Sequence, residues 1–362
     1  MRILRILGMD TNNKNNVKDK TTYSKHSFTL LIFATFILFV TFVLINISVG
    51  SVAIPIKEVF RILIGEEALK QSWEYIVLNY RLPKAIVAML VGIGLSLSGL
   101  LMQTLFRNPL AGPYVLGVSS GASLGVAFVI LGSTFLPVFL ADIFLSHYGI
   151  VLAATLGSFL VLLSVLAVSQ RLKDTMAILI VGLMFGSITS AVVSVLTYFS
   201  SAEQLKKFTL WNLGNLGNQS WEAIFILLII TLVGLVLSYI CIKPLNALLL
   251  GENYAKSMGI NFNRTKTIII IATSLLAGCI TAFVGPIAFV GLAVPHLAKL
   301  LFQTSNHKML FWATISLGAI IMLICDTIAQ MPSFDFVIPI NAVTSIIGAP
   351  VVIWLLIRKR KF

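Results

Sequence analysis

The sequence has little charge, few cysteines and none of the short motifs that mark nucleotide or metal sites. Charged residues make up 11% of the 362 residues, whereas soluble domains carry about 25%. Cys241, Cys279 and Cys325 are far apart, which predicts neither a disulfide framework nor a CxxC metal site. The dipeptide Gly-Lys is absent, so a P-loop is excluded, and there is no HExxH pattern or His/Cys cluster. We therefore expect no catalytic residue, metal, cofactor or ATPase site in this chain.

The sequence consists mainly of long apolar runs. Hydrophobic residues make up 58% of the chain and the mean hydropathy is +1.00. Because about 20 apolar residues cross a bilayer, this composition predicts an all-α polytopic membrane protein of about ten transmembrane helices. The expected spans are 27–49, 84–106, 114–134, 149–169, 175–199, 222–242, 267–284, 287–302, 310–330 and 340–357.

The distribution of basic residues predicts that both termini are cytoplasmic. With that orientation 19 of the 26 Lys and Arg lie inside and 7 lie outside, as the positive-inside rule requires. The net charge of +13 is then a topology signal and does not indicate a nucleic-acid partner. We expect a disordered cytoplasmic tail at 1–26, one helical domain at 27–357 and a basic cytoplasmic tail at 358–362. Spans 2–5 and 7–10 suggest two halves of opposite orientation.

The inner loop 243–262 is long and half apolar. Pro244 and Gly251 divide it into two short helical pieces, predicted at 245–250 and 252–258, and Gly259 is a plausible C-cap. Short amphipathic helices in this position suit docking onto a partner protein. They also suit an interfacial helix that lies on the lipid.

The segment 98–123 combines polar residues, two prolines and several glycines. Gln103, Asn108 and Pro109 precede a second proline, Pro113, so the second span ends here and the chain re-enters the membrane as a loop. Such a loop must line a cavity or be buried in protein, which favours a transport pathway over a tight turn. Residues 117–121 also match GxSxG, but Ser119 lacks the preceding strand that a nucleophile elbow needs.

Three charged residues lie in or beside apolar runs, and the sequence allows two interpretations of each. Asp326 lies within an apolar run and suits a proton site of a secondary transporter or a structural hydrogen-bonding role. Arg81 and Lys84 begin the second span one turn apart, where they suit contact with an acidic partner or snorkelling to lipid headgroups.

Pro295 and His296 interrupt the short eighth span. Pro295 frees a backbone carbonyl about one turn earlier, and His296 is expected to bond nearby backbone at the inner end of the span. No second His, Cys or acid lies close in sequence, so these residues predict a short kinked helix that relays motion and predict no metal site.

Six segments, in order, resemble the FecCD family of ABC-importer permeases. They are RLPK (81–84), SGLLMQTLFRNPLAGPYVLGVSSGA (98–122), WNLGNL (211–216), LNALLLGENYAKSMGI (245–260), GPIAFVGLAVPHLAKLL (285–301) and IPINAVTSIIGAPVVIWLL (338–356). The resemblance implies ten helices, a second permease subunit, two cytoplasmic ATPase subunits and an external substrate-binding protein.

The resemblance also implies roles for individual residues. Arg81 and Lys84 would contact the binding protein. The coupling helices of the ATPase would lie at 243–262, with Leu245, Asn246, Leu250, Gly251, Glu252, Ala255 and Gly259. The resemblance places the cytoplasmic gate at Thr175 and Met176. The translocation and gating set is completed by residues chosen from the sequence itself: Gln103, Asn108, Pro109, Pro295 and His296 from their segments, and Ser190 from its polarity. The chain departs from the family pattern at Gln330, where some members carry an arginine, and at Asn341, where glycine is frequent.

We therefore expect a permease subunit of an ABC importer in the bacterial cytoplasmic membrane. It would carry a ferric siderophore by alternating access and catalyse no reaction itself. The alternatives are a haem or cobalamin permease of the same family, or an ion-coupled secondary transporter.

Overall fold

The computed structural model describes residues 25–135, 137, 143–172, 175–217, 219–331 and 337–359. Residues 1–24 and 360–362, which make up most of the two predicted tails, lie outside this part of the chain. The described residues are helical, without a strand. The fold class predicted from composition is thereby confirmed.

The helices follow one another along the chain with short connections. The first five are α1 (Lys25–Ser48), α2 (Ile56–Leu63), α3 (Gln71–Ile76), α4 (Leu82–Leu105) and α5 (Val118–Ile130). The next five are α6 (His147–Arg171), α7 (Thr175–Tyr198), α8 (Ala202–Asn212), α9 (Trp221–Ile240) and α10 (Ile242–Leu248). The last five are α11 (Glu252–Ser257), α12 (Phe262–Val284), α13 (Val290–Phe302), α14 (His307–Ala329) and α15 (Ile340–Lys359).

Each predicted span coincides with one of these helices. Within the described residues, seven helical segments are long and apolar enough to cross a membrane, and α5, α13 and α15 supply shorter apolar helices. The largest shift is at α12, which begins at Phe262 because Asn261 accepts a hydrogen bond from the backbone N–H of Arg264 and caps a polar first turn. α5 is shorter than predicted because Pro113–Leu116 forms a 3₁₀ turn and Gly117 is left-handed.

α4 is the central helix of the bundle and packs on α9, α12, α13 and α14. Two glycines allow the closest approaches. A Cβ at Gly92 would lie 2.1 Å from the carbonyl oxygen of Gly318 on α14, and one at Gly99 would lie 1.7 Å from that of Gly291 on α13. Small residues let membrane helices approach closely and gain packing energy that lipid alone cannot supply.

The two halves, α4–α7 and α12–α15, have corresponding features of the kind that the predicted inverted repeat implies. α5 and α13 have 13 residues each, and each follows a Gly-Pro pair and a left-handed residue, Gly117 or Phe289. α4 packs on α13 and α14, and in return α12 packs on α5 and α6. The two Gly-Pro loops meet where Tyr114 donates its hydroxyl to the carbonyl of Ile287.

The bundle has two ends that differ in what covers them. The end that carries α10 and α11 is called the α10 end, and it also holds the end of α4 and the start of α14. The opposite end carries α8 and is called the α8 end. There the start of α4 meets the end of α14, with the end of α1 beside them.

Candidate functional site

The loop predicted to couple to a partner forms two short helices, α10 and α11. The first begins at Ile242, three residues before its predicted start, and ends at Leu248. Pro244 is tolerated because it lies in the first turn, where backbone N–H groups need no partner within the helix. Gly251 separates the helices at φ 118°. Gly259 has φ 81° and caps α11, with N–H donation from Gly259 to Lys256 O at 2.9 Å.

Apolar residues of these helices divide into a buried and an exposed set. Leu245 and Ala255 are fully buried, so they hold α10 and α11 on the bundle. Their predicted part in ATPase coupling would therefore be to support the two helices from below. Glu252 pairs with Lys256 at 2.8 Å along α11, which stabilises this short helix.

The exposed set forms a patch on the outside of the two helices. It consists of Leu249, Leu250, Tyr254 and Met258, which are 51%, 66%, 52% and 60% exposed. We call these four residues the coupling patch. Only Leu250 belongs to the predicted set. The others could have been found in the sequence as the apolar positions that remain once the buried face of each helix is assigned.

Asn246 connects the first of these helices to the membrane bundle. Its Oδ1 accepts hydrogen bonds from the backbone N–H of His307 at 2.8 Å and from His307 Nδ1 at 3.0 Å. The other ring nitrogen of His307 lies 2.8 Å from Thr104 Oγ1 near the end of α4. His307 is only 2% exposed. The sequence indicated Asn246 but gave no sign of His307 or Thr104.

Five of the predicted gating residues come together between α4, α13 and the loop after α4. His296 Nε2 lies 2.8 Å from the carbonyl oxygen of Pro109. This backbone contact joins α13 to the loop after α4, 187 positions away in the sequence. Asn108 Oδ1 accepts from the N–H of Leu110 at 2.9 Å and fixes the loop. Pro295 lies beside His296 in α13.

Gln103 joins α4 to α13 and does not stand free in a pathway. It is buried, its Nε2 donates to the carbonyl of Leu292 at 3.1 Å, and its Oε1 accepts from Lys299 at 3.3 Å. Pro295 removes the N–H that would bond the Gly291 carbonyl, and that carbonyl faces Gly99. The kink at Pro295 is thus matched by a glycine on the neighbouring helix.

The remaining predicted gating residues lie on α7, which packs on α5, α6 and the turn at 113–116. Thr175 begins α7, and its side chain is outside the described part of the chain. Met176 is exposed. Ser190 lines a cleft of about 230 Å³ together with Ser119 of the GxSxG segment. Among the described residues no histidine lines this cleft, so none of them is placed to activate Ser119 as a nucleophile.

Arg81 is part of the fold and not of an exposed docking surface. It is buried, and its guanidinium donates to the carbonyls of Ile47 at 2.8 Å, Ser48 at 2.7 Å and Val52. Gly50 lies against it, since a Cβ there would meet Arg81 Nη2 at 2.8 Å. Contact of Arg81 with the binding protein stays a prediction, and the structure shows a role in the fold. Its cation binds the free carbonyls at the end of α1.

Lys84 and Asp326 form a buried ion pair at the α8 end. Lys84 Nζ lies 2.9 Å from Asp326 Oδ1. Asn46 Nδ2 donates to Asp326 Oδ2 at 2.9 Å, and Gln330 Nε2 donates to the same oxygen at 3.2 Å. The carboxylate therefore has a cation and two amide donors, as its predicted structural role requires. The pair borders a cleft of about 560 Å³, which Asn215 also lines.

Within the described residues, no group of three or more His, Cys, Asp or Glu side chains could hold a metal ion. The polar side chains described above form hydrogen bonds and an ion pair between helices. Asn246, His307 and Thr104 act at the α10 end, and Lys84 and Asp326 act at the α8 end. Such an arrangement suits relative movement of helices between two faces of a membrane, and it contains no group placed for bond chemistry.

Comparison with known proteins agrees with this geometry. A sequence model of the FecCD transport family matches residues 37–358. The haemin transport system permease HmuU of Yersinia pestis is 33% identical over 325 residues, which is 89% of this chain and 95% of HmuU. The vitamin B12 import permease BtuC of Klebsiella pneumoniae is 34% identical over 329 residues, 90% of this chain and 92% of BtuC.

A solved structure shows the same fold. It is an inward-facing conformation of a metal-chelate type ABC transporter, with a TM-score of 0.78 and 29% identity over 91% of this chain and 99% of the other. These relatives are permease subunits, in which ATP hydrolysis resides in a separate subunit. The chain is a multi-pass protein of the bacterial cytoplasmic membrane. It belongs to the FecCD transport family and is the permease subunit of an ABC importer.

Proposed function

We propose that this permease imports a metal chelate and that its cargo is a ferric siderophore. Haemin and vitamin B12, named for two of its relatives, are both metal chelates, and the structural neighbour is of the metal-chelate type. A haem or cobalamin cargo is the alternative within the same class. The neutralised carboxylate of Asp326 removes the feature that suggested an ion-coupled secondary transporter.

The coupling patch carries the mechanistic part of this proposal. Large apolar side chains that stay exposed in a cluster mark a protein interface, and Leu249, Leu250, Tyr254 and Met258 are exposed on helices that their buried neighbours fix to the bundle. We assign this patch to the cytoplasmic ATPase. Closure of two ATPase subunits on ATP binding would then press on α10 and α11, and Asn246 would transmit the displacement to α14.

The same proposal fixes the orientation and the other partners. The α10 end is cytoplasmic, as are both termini, in agreement with the distribution of Lys and Arg. The α8 end is external and receives the loaded binding protein. A second permease subunit covers the exposed face of α7, a helix on which Ile178, Gly182 and Thr189 are the buried residues. Movement of α7 and α15 then opens the pathway alternately to each side.

Import assays with defined cargo test the proposal. The permease is reconstituted in proteoliposomes with its ATPase and binding protein, and uptake of a ferric siderophore, haemin and cyanocobalamin is measured with and without ATP. We expect ATP-dependent uptake of the siderophore. Uptake of haemin or cobalamin alone would correct the cargo. Uptake driven by a proton gradient in the absence of the ATPase would contradict the importer mechanism.

The coupling patch has a separate test. Leu250→Glu puts a charge at the centre of the patch and should abolish co-purification of the ATPase with the permease, because a charge buried at an interface without a partner costs several kcal/mol. Asn253→Ala changes an exposed residue of α11 and is the matched control. Normal co-purification of Leu250→Glu would remove the patch from the interface.

A further inference from the structure

A small polar cleft lies between the first turn of α5, the middle of α7 and the end of α8. Its volume is about 230 Å³. Hydroxyl and amide side chains form most of its lining: Ser119, Ser120, Ser123, Thr189, Ser190 and Asn212. No charged side chain borders it. A cluster of six polar groups is unusual in a chain that is 58% hydrophobic.

Three of these hydroxyls have no partner in the part of the chain that the structure describes. Ser123 donates to Asn212 Oδ1 at 3.3 Å, and Thr189 donates to the carbonyl of Gly186 at 2.8 Å. For Ser119, Ser120 and Ser190, no hydrogen bond of the hydroxyl to another described residue is present. Hydroxyls elsewhere on membrane helices usually donate to the carbonyl one turn earlier.

Serines at other helix positions of this chain show that ordinary behaviour. The hydroxyls of Ser164, Ser187 and Ser316 each donate to the carbonyl four residues before, at 2.9, 3.2 and 3.0 Å. Ser190 is exposed, and Ser119 and Ser120 are half-buried, so water reaches these hydroxyls in the single chain and they remain available to donate to a ligand in the cleft.

The inverted repeat shows that the fold does not require this polarity. The corresponding pair of helices in the second half, α13 and α15, also borders a cavity, of about 130 Å³. Its lining is apolar and includes Phe289, Leu297 and Ile347, and its one hydroxyl, Thr344, already donates to the carbonyl of Asn341 at 3.1 Å. The packing of these helices therefore does not require the hydroxyl groups that line the cleft in the first half.

We propose that the cleft is a subsite for the acceptor oxygens at the periphery of an oxygen-ligated ferric chelate as it passes along α7. This inference rests on the proposed function, since it requires the pathway to follow α7. The unpaired hydroxyls of Ser119, Ser120 and Ser190 donate to hydroxamate, catecholate or carboxylate oxygens. A volume of about 230 Å³ is below that of a pocket for a whole drug-sized ligand, so the cleft takes one arm of the chelate.

Gly186 keeps the cleft open. A Cβ at this position would lie 3.4 Å from Ser120 Oγ, which is an ordinary van der Waals contact, and no backbone atom is closer. A larger side chain at residue 186 therefore extends into the cleft without a backbone clash. Filling the cleft and removing its hydroxyls are two independent ways to abolish the subsite.

The test compares two triple variants in the reconstituted complex of permease, ATPase and binding protein. Ser119→Ala/Ser120→Ala/Ser190→Ala removes the unpaired hydroxyls, and Ser164→Ala/Ser187→Ala/Ser316→Ala removes three hydroxyls that are paired within their own helices. The loss of two or three hydrogen bonds to cargo should lower uptake of a ferric trihydroxamate per ATP hydrolysed about tenfold or more. The control triple variant should keep the wild-type value.

Gly186→Leu should give the same loss with all hydroxyls present. Haemin uptake, where the wild type shows it, should be little changed by the serine variant because the porphyrin ring presents an apolar face. Wild-type uptake of the trihydroxamate by both the serine variant and Gly186→Leu would overturn the subsite while leaving the importer proposal intact. Failure of the wild type to import any chelate would instead overturn the proposed function.

Discussion

Replacing Asn246 with alanine should impair the transmission of movement from α10 to α14 and leave the docking of the ATPase intact. Asn246 Oδ1 is the acceptor for both the backbone N–H and Nδ1 of His307, at 2.8 and 3.0 Å. His307 is 2% exposed, so water cannot replace the lost acceptor without rearrangement. A buried donor left without a partner costs about 1–3 kcal/mol. The contact between α10 and α14 should therefore weaken by roughly 2–6 kcal/mol for the two donors.

The expected phenotype is a complex that hydrolyses ATP but transports little. The coupling patch is untouched by this substitution, so the ATPase should still co-purify, while uptake per ATP hydrolysed should fall at least tenfold. Asn246→Asp keeps an acceptor oxygen for both donors and should retain most of the transport. Asn253→Ala, an exposed asparagine on α11, should behave as wild type.

The measurement is the ratio of cargo transported to ATP hydrolysed in proteoliposomes, with the thermal midpoint of the complex in detergent recorded alongside. A folded Asn246→Ala complex with the wild-type ratio would refute the reasoning, because it would show that displacement of α10 reaches the bundle by another route. An equal loss with Asn246→Asp would show that the amide N–H₂, and not the Oδ1 acceptor, is the group required.

Three further outcomes are expected. Asp326→Asn should lower the thermal midpoint, because the charge of Lys84 then lacks its carboxylate partner and the fold loses about 3–5 kcal/mol of stability. Adding Lys84→Met should recover part of this loss. Gly99→Ala should prevent the helix bundle from folding, because its Cβ would lie 1.7 Å from a carbonyl oxygen of α13. Gly132→Ala should fold, because its Cβ would lie in open space. Cys241 is 1% exposed, so maleimide should label its peptide much more slowly in the folded protein than after unfolding in denaturant.

Sequence patterns recover most of the fold because hydrophobic length is nearly decisive in a membrane. Each of the ten runs became a helix, and the error at α12 arose where a polar first turn extends beyond the apolar run. The shortness of α5 was not predictable from composition. It follows from the 3₁₀ turn at Pro113 and the left-handed Gly117, where the chain packs closely on Gly182 of α7.

The candidate site was harder to predict because its contacts join distant segments. Arg81 binds carbonyls about 30 positions earlier, and no pattern distinguishes such a cation from one that faces lipid or a partner. Asn246 was indicated by the coupling motif, but its partner His307 is 61 positions away. The sequence left Asp326 with two interpretations, a proton site or a structural hydrogen-bonding role, and gave no sign that Lys84 is its partner.

The two halves have corresponding helices and packing partners. They differ in the burial and the polar contacts of their third helix, which is α6 in the first half and α14 in the second. α6 is largely exposed along its length, whereas α14 is mostly buried and has polar contacts at both ends, to Asn246 through His307 and to Lys84 through Asp326. A helix of 23 residues is about 34 Å long, so α14 spans the bilayer as one rigid element. We infer that the second half transmits movement between the ATPase end and the binding-protein end. The first half, with the hydroxyl cleft beside α7, is then free to contact the cargo.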